Sequence, residues 1–217
     1  SCGGSAQHRA RASAEPVPAL AVRFVGRVEV GPGSEASYAW SGAGFVARFR
    51  GTGIAVRLRD DRNEHQVVLD GRVLPRLVAA RGVELYVVAH DLQPGEHRIE
   101  VYRRTEALFG VTRFLGVDVT GGRLLDAGPA PARRIEVVGD SISGGYGNEG
   151  SLPDCRFSAA AENHWASYGA VLARALDAEL ATVAWSGRGV VKNYAGGPGE
   201  PMGRLYGRTL PESASSR

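Results

Sequence analysis

Lysine is almost missing from this chain: of its 26 basic residues, only Lys192 is not arginine. The net charge is +3 with a pI near 9.1, and the arginines are scattered. Arg103-Arg104 and Arg133-Arg134 come nearest to a charge run, and neither is flanked by clustered lysines or interleaved aromatics. Nucleic-acid binding is therefore not expected. Cysteine is equally scarce. Cys2 and Cys155 stand alone with no C-x-x-C spacing, which argues against a disulfide framework or a zinc site, and no metal or other cofactor is expected. No apolar run reaches the roughly 18 residues that a bilayer span needs. What remains is ordinary globular composition, 43% hydrophobic and 23% charged over 217 residues, enough for one large domain or two small ones.

The first residues have a character of their own. Ser1-Cys2-Gly3-Gly4-Ser5 followed by the polar, alanine-rich Ala6 to Ala14 reads either as the start of a bacterial lipoprotein, with lipid on Cys2, or as an ordinary cysteine in a flexible leader. The first alternative makes residues 1–18 a tether, makes the protein secreted or cell-surface, and makes Cys2 its only membrane anchor.

From about Ala19 to Leu125 apolar residues recur with period two, interrupted by turn residues about every 8 to 12 positions, the pattern of an antiparallel sandwich. Phe45, Ala47 and Phe49 alternate with Val46, Arg48 and Arg50; Ile54, Val56 and Leu58 alternate with Ala55, Arg57 and Arg59. The aliphatics are expected inside and the arginines on a wet face. Asp70-Gly71 is a favoured hairpin dipeptide, and Pro75 places the returning strand at an edge. About eight strands result, enough for a two-sheet jelly roll over residues 19–126. The Pro- and Gly-rich run Ala127 to Ala132 marks a boundary.

A second unit, residues 134–217, begins with Ile135 to Val138, a strand expected to be buried on both faces of a parallel sheet. Asn163 is a candidate N-cap for a helix carrying Trp165, Tyr168, Leu172 and Leu176, and Leu180 to Trp185 reads as the next strand. The expected class is therefore mainly β, then α/β. In a parallel sheet the ligand site lies beyond the carboxyl ends of the strands, so Ser141 after the first strand and Ser186-Gly187-Arg188-Gly189 after the second share one mouth.

Ser141 is the candidate nucleophile. A serine hydroxyl attacks only where a base takes its proton and backbone N–H groups stabilise the oxyanion, and the order strand, Gly139-Asp140-Ser141, glycine loop supplies the sharp turn this requires. The text around it resembles a known family. Gly139-Asp140-Ser141-Ile142 is similar to the first block of the SGNH (GDSL-like) hydrolases and Ser186-Gly187 to the second. Gly144-Gly145-Tyr146-Gly147, Glu162-Asn163, Ser167-Tyr168-Gly169 and Ala184 to Val190 resemble carbohydrate esterase family 2, as do Trp40-Ser41-Gly42, Phe49 to Thr52 and Gly95 to Glu106 in the front part. The resemblance spans about Phe24 to Pro211. It implies a jelly roll ahead of a flavodoxin-like hydrolase domain, and removal of acetyl groups from plant polysaccharides such as xylan or mannan through an acetyl-enzyme on Ser141. It also implies an oxyanion site at the N–H groups of Ser141 and Gly187. Tyr194 reads either as an aromatic wall for a sugar ring or as a core tyrosine.

The resemblance also implies an asparagine in a Gly-x-Asn-Asp block and a histidine in an Asp-x-x-His block, and neither occurs here. The hydrolase part is thus expected to be incomplete, the chain cut short, and its activity low. Of the five histidines, His8 lies in the leader, His65, His90 and His97 in the sandwich, and His164 ahead of the helix. Surface or capping roles are expected for them, with His164 the nearest substitute base. Three other readings compete: a carbohydrate-binding sandwich with Trp40, Tyr38 or Tyr86 stacking on sugars and a vestigial remainder, an SGNH lipase or thioesterase, and a plain strand-ending turn at Gly139-Asp140-Ser141.

Overall fold

The computed structural model describes residues 21–33, 35–151 and 156–216. Cys2, His8, Cys155 and the expected tether lie outside them.

Two antiparallel sheets form the first unit. One runs in the order β1 (Val22–Val25), β4 (Gly44–Gly51), β10 (Gly95–Arg103), β6 (Glu64–Leu69), β7 (Arg72–Val73), with β12 (Arg123–Leu125) also on β4 and β8 (Leu77–Val78) also on β6. The other runs β2 (Glu29–Val30), β3 (Ala36–Tyr38), β11 (Thr112–Thr120), β5 (Gly53–Arg59), β9 (Leu85–Ala89). The period-two residues fill the space between them. Phe45, Ala47 and Phe49 of β4, Ile54, Val56 and Leu58 of β5, Val67 of β6, Ile99 and Val101 of β10 and Phe114 of β11 are all buried in one core. Asp70 and Gly71 take the positive φ angles of 52° and 77° that a tight hairpin needs. On the opposite side of β5, Arg57 and Arg59 pair with Asp118 and Glu84 in exposed ion pairs worth little to stability.

The sandwich departs from the sequence expectation in two ways. Among the described residues it has twelve strands instead of about eight, because strands as short as β2 and β12 show no alternation and the one return strand expected after Asp70-Gly71 is split into β7 and β8. Its first sheet is also not wet throughout on the outer side: Val46 is buried and all six residues of β6 are buried. Part of that side faces the second unit across a cleft of about 330 Å³ in which Val68, Glu100 and Tyr102 meet His164, Trp165 and Arg174.

The second unit pairs β13 (Arg133–Gly139) with β14 (Ala178–Ala184) in parallel, joined through α1 (Ser141–Gly144) and α2 (Tyr168–Ala175), with α3 (Met202–Leu205) following. Asn163 does not start the helix. It precedes a 3-10 turn at His164–Ala166, after which Ser167 turns extended and caps α2 by accepting a bond from the Ala170 N–H at 3.4 Å. Two elements replace the expected one because serine is itself a strong N-cap and interrupts the helical run. β13 is not buried on both faces. Glu136 and Val138 are exposed, and Glu136 pairs with Arg27 at 3.0 Å and with the Tyr206 hydroxyl at 2.7 Å. Gly169 of α2 packs on Val137 and Leu180, whereas Tyr168, Val171 and Leu172 of the same helix face outward.

A small apolar core joins the two units. Trp40 and Ala39, just after β3, and Ala107 of the β10–β11 link pack with Val183, Trp185, Met202 and Leu205. Close by, Gly42 holds φ +76° against a buried His164, and a Cβ there would lie 2.3 Å from the imidazole Cε1. His164 has little room to retreat, since its Nε2 bonds Thr182 Oγ1 at 2.9 Å. Gly42→Ala is expected to cost on the order of 3 kcal/mol through strain and overpacking. A chemical denaturation curve checks this, and an unshifted midpoint contradicts it.

Candidate active site

β13 ends at Gly139, and the chain turns at once into the single helical turn of α1. A Cβ at Gly139 would fall 2.1 Å from Ser143 Oγ, so only glycine permits the turn. Asp140 caps it: its Oδ1 accepts from the Ile142 N–H at 3.1 Å and its carbonyl from the Gly144 N–H at 2.9 Å. Gly145, at φ 89°, ends it and returns its N–H to the Ser141 carbonyl at 3.0 Å. Ser141 therefore stands half-exposed at the first position of the turn, while Ser143 is buried and shares a 2.8 Å hydrogen bond with the Tyr168 hydroxyl.

The parallel register sets Gly139 beside Ala184, so β14 ends where β13 ends and the second glycine turn opens at the same mouth. Gly187 holds φ +75° with nothing within 4 Å of the place where a Cβ would sit. Among the described residues, neither the Ser141 nor the Gly187 backbone N–H is taken by an acceptor. An oxyanion needs free backbone donors of this kind.

The second turn is held from outside its own unit. Glu106, fully buried at the start of the 3-10 turn Ala107–Phe109, accepts from both the Ser186 N–H and the Ser186 hydroxyl. Its own N–H donates to Glu162 Oε2 at 2.6 Å. Arg104, two residues earlier, reaches Glu149 at 2.6 Å, and Asn163 Nδ2 bonds the same carboxylate oxygen at 2.6 Å. Sequence reasoning missed Glu106, Glu162 and Arg104 as site residues. Arg103 and Arg104, met as a near charge run, are both buried.

The described histidines do not supply a base. His164 is buried against Gly42 and bonded to Thr182; burial, reinforced by the Arg174 charge, holds its pKa down at about 4, so it is a neutral structural group and not a substitute base. His65, expected at the surface, is fully buried, and burial keeps its pKa below the usual value even though its Nε2 lies 3.2 Å from Asp60. His97 bonds Asp70 at 2.7 Å and Gln93 O at 2.9 Å within the sandwich, and His90 pairs with Asp91 at 2.6 Å on the surface. No described histidine partners Ser141.

Tyr194 is not a core tyrosine: it is 83% exposed, and its N–H donates to the Gly187 carbonyl at 2.9 Å, which ties it to the second turn. Asn193 steadies the same loop by donating to Gly197, Pro198 and Gly199 carbonyls at 3.2, 3.3 and 2.9 Å. The sugar-stacking face expected on the sandwich fails at its first two residues. Tyr38 and Trp40 have no exposed surface, because one fills the sandwich core and the other the junction. Tyr86 is part-buried, with its hydroxyl bonded to the Ala80 N–H and the Val83 carbonyl.

A jelly-roll sandwich followed by a parallel β-α-β unit, with Gly-Asp-Ser at one strand end and a glycine turn at the next, defines an SGNH-hydrolase architecture with an amino-terminal β domain. Residues 24–129 match the amino-terminal family model "Carbohydrate esterase 2 N-terminal". The chain is 36% identical over 193 residues to a "Cellulase/esterase CelE" of Acetivibrio thermocellus, covering 88% of this chain and 24% of that one. It is 32% identical over 177 residues to an "Acetylxylan esterase / glucomannan deacetylase" of Cellvibrio japonicus, covering 80% and 49%. Among solved structures, a family two carbohydrate esterase from Clostridium thermocellum in complex with cellohexaose superposes with a TM-score of 0.86 at 36% identity, covering 90% of this chain and 60% of that one. The chain thus spans about half the length, or less, of these curated relatives.

Proposed function

We propose that these residues supply the nucleophile and oxyanion site of an esterase that removes O-acetyl groups from xylan- or mannan-type polysaccharides. The observation that carries this reading is the register pairing of Gly139 with Ala184, which brings the Ser141 and Gly187 turns to one mouth. The match to the family model over residues 24–129 and the deacetylase names of the relatives support it. Ser141 Oγ would attack the acetyl carbonyl carbon while the serine proton passes to a base and the carbonyl electrons move to oxygen. The Ser141 and Gly187 N–H groups would hold that oxyanion. Collapse would break the bond to the sugar oxygen, which leaves as the alcohol after taking a proton, and water would then release acetate from Ser141. Losing one oxyanion donor costs roughly 100-fold or more.

The test is mass spectrometry after exposure to 4-nitrophenyl acetate. With imidazole added to take the serine proton, which no described histidine does, an acetyl adduct is expected on the peptide carrying Ser141. No adduct, or one only elsewhere, removes the reading.

Tyr194, exposed beside the second turn, is proposed as a wall for a sugar ring. Tyr194→Ala is expected to weaken binding of acetylated xylo- or manno-oligosaccharides by about 3- to 10-fold while leaving the melting temperature unchanged. Calorimetry with both proteins checks this, and equal affinities contradict it. We also propose that Cys2 carries lipid and anchors a secreted or cell-surface protein. Failure of a metabolic lipid label to reach Cys2 in the bacterial source rules that out.

A further inference from the structure

The β-sandwich of this chain sends one acidic side chain into the hydrolase unit, and that side chain touches both catalytic turns. Glu106 takes the Ser186 N–H and hydroxyl on its two carboxylate oxygens. The same carboxyl group lies under α1, where a Cβ built on Gly144 would stand 3.0 Å from it. Its neighbour on the other side is a second acid. Glu162 reaches back through Oε2 to the Glu106 N–H, and its Oε1 is buried without any N–H or O–H donor among the described residues.

Two carboxyl groups in contact and out of water cannot both be ionised, so such pairs share a proton. Here the ionised member has obvious partners. Ser186 offers two donors to Glu106, which leaves the proton on Glu162, where the otherwise orphaned Oε1 becomes a donor toward Glu106. Burial, the Glu106 charge first among its neighbours, raises the Glu162 carboxyl to about 9. Burial raises Glu106 as well; Asp140 pushes in the same direction, while the Ser186 bonds act against it. Arg103, buried in the sandwich, is the cation facing Glu162 and lowers it.

We propose that Glu106 and Glu162 are positioning residues: as a proton-sharing pair they grip Ser186 by its N–H and hydroxyl, and so fix the direction in which the Gly187 N–H points. The β-sandwich is on this account a working part of the esterase site and not only a polysaccharide-facing appendage. The oxyanion significance rests on the function proposed above; the grip itself does not. Because the folded value is raised from the ordinary 4.5, the pair's contribution is fully present below about 4.5 and is lost as pH rises through about 9.

Amide exchange and carbon-detected NMR test the grip without reference to catalysis. In Glu106→Ala the Ser186 amide is expected to exchange at least tenfold faster, while Val101 in the sandwich core keeps its protection. In the unchanged protein, the labelled Glu162 carboxyl carbon and the Gly187 resonances should move together in one transition well above the ordinary glutamate range. Glu162→Gln puts a permanent N–H donor where the shared proton sits. It should keep Ser186 protected and abolish the Gly187 transition, a rescue that a merely space-filling role would not produce. Unchanged Ser186 exchange in Glu106→Ala overturns the proposal, as does a Gly187 transition that persists in Glu162→Gln. If Glu106→Ala does not fold, the Glu162→Gln comparison decides alone. Failure of the Ser141 adduct with these signatures intact would remove the esterase reading and leave the grip standing.

Discussion

Ser141→Ala is expected to remove imidazole-assisted hydrolysis of 4-nitrophenyl acetate down to the rate of imidazole in buffer, a loss of roughly 1000-fold in the protein-dependent rate. No described histidine partners the Ser141 hydroxyl: His164 is committed to Thr182 and His65 to Asp60. An added base small enough to enter the mouth should therefore stimulate the reaction, and only through this hydroxyl. The substitution should leave the turn intact. The Asp140 cap is made to the Ile142 N–H, and α1 is closed by backbone bonds from Gly144 and Gly145, none of which uses the Ser141 side chain. Unchanged melting with lost activity is the expected pair of results. An imidazole-dependent rate that survives the substitution places the nucleophile elsewhere.

Trp40→Ala is expected to destabilise the protein by about 3–5 kcal/mol, the range for removing a large buried aromatic. Trp40 has no exposed surface, meets the edge of Trp185 at 6.5 Å, and donates its Nε1–H to the Arg208 carbonyl at 3.0 Å. Its removal leaves a cavity in the core that joins the units and also takes one donor from that carbonyl. The damage should be local to the junction. The sandwich core around Phe45 and Phe114, whose rings lie 4.5 Å apart, does not include Trp40 and should keep its own amide protection. A melting midpoint lowered by around 10 °C is the expected size. A shift of a degree or less would mean that the junction contributes little.

The long strands of the sandwich were readable because a half-buried strand writes its burial into every second residue. β4 does this from Ala47 to Gly51 and β5 from Ile54 to Arg59. The two-residue strands do not, and neither does the covered outer side near Val46 and β6, where the second unit removes the contrast between wet and dry. Asn163 was misread as the cap of one long helix for a related reason. Both it and Ser167 can cap, and only the extended backbone at Ser167 shows which one does.

The site divides in the same way. Gly139-Asp140-Ser141 and Ser186-Gly187 are legible as turns because the constraints on them are local: a Cβ clash within four residues at Gly139, a cap two residues away at Asp140, a left-handed φ at Gly187. Glu106 and Glu162 are separated by 56 positions, and Glu106 and Ser186 by 80, so no spacing rule connects them. Sequence alone determined the strand and turn chemistry, since those depend on residues close along the chain. Only the tertiary structure decided which acids meet under the Ser186 turn, which histidines are buried, and that Trp40 and Tyr38 are core residues. Those outcomes depend on how two units dock, and docking brings together groups whose positions along the chain carry no mark of it.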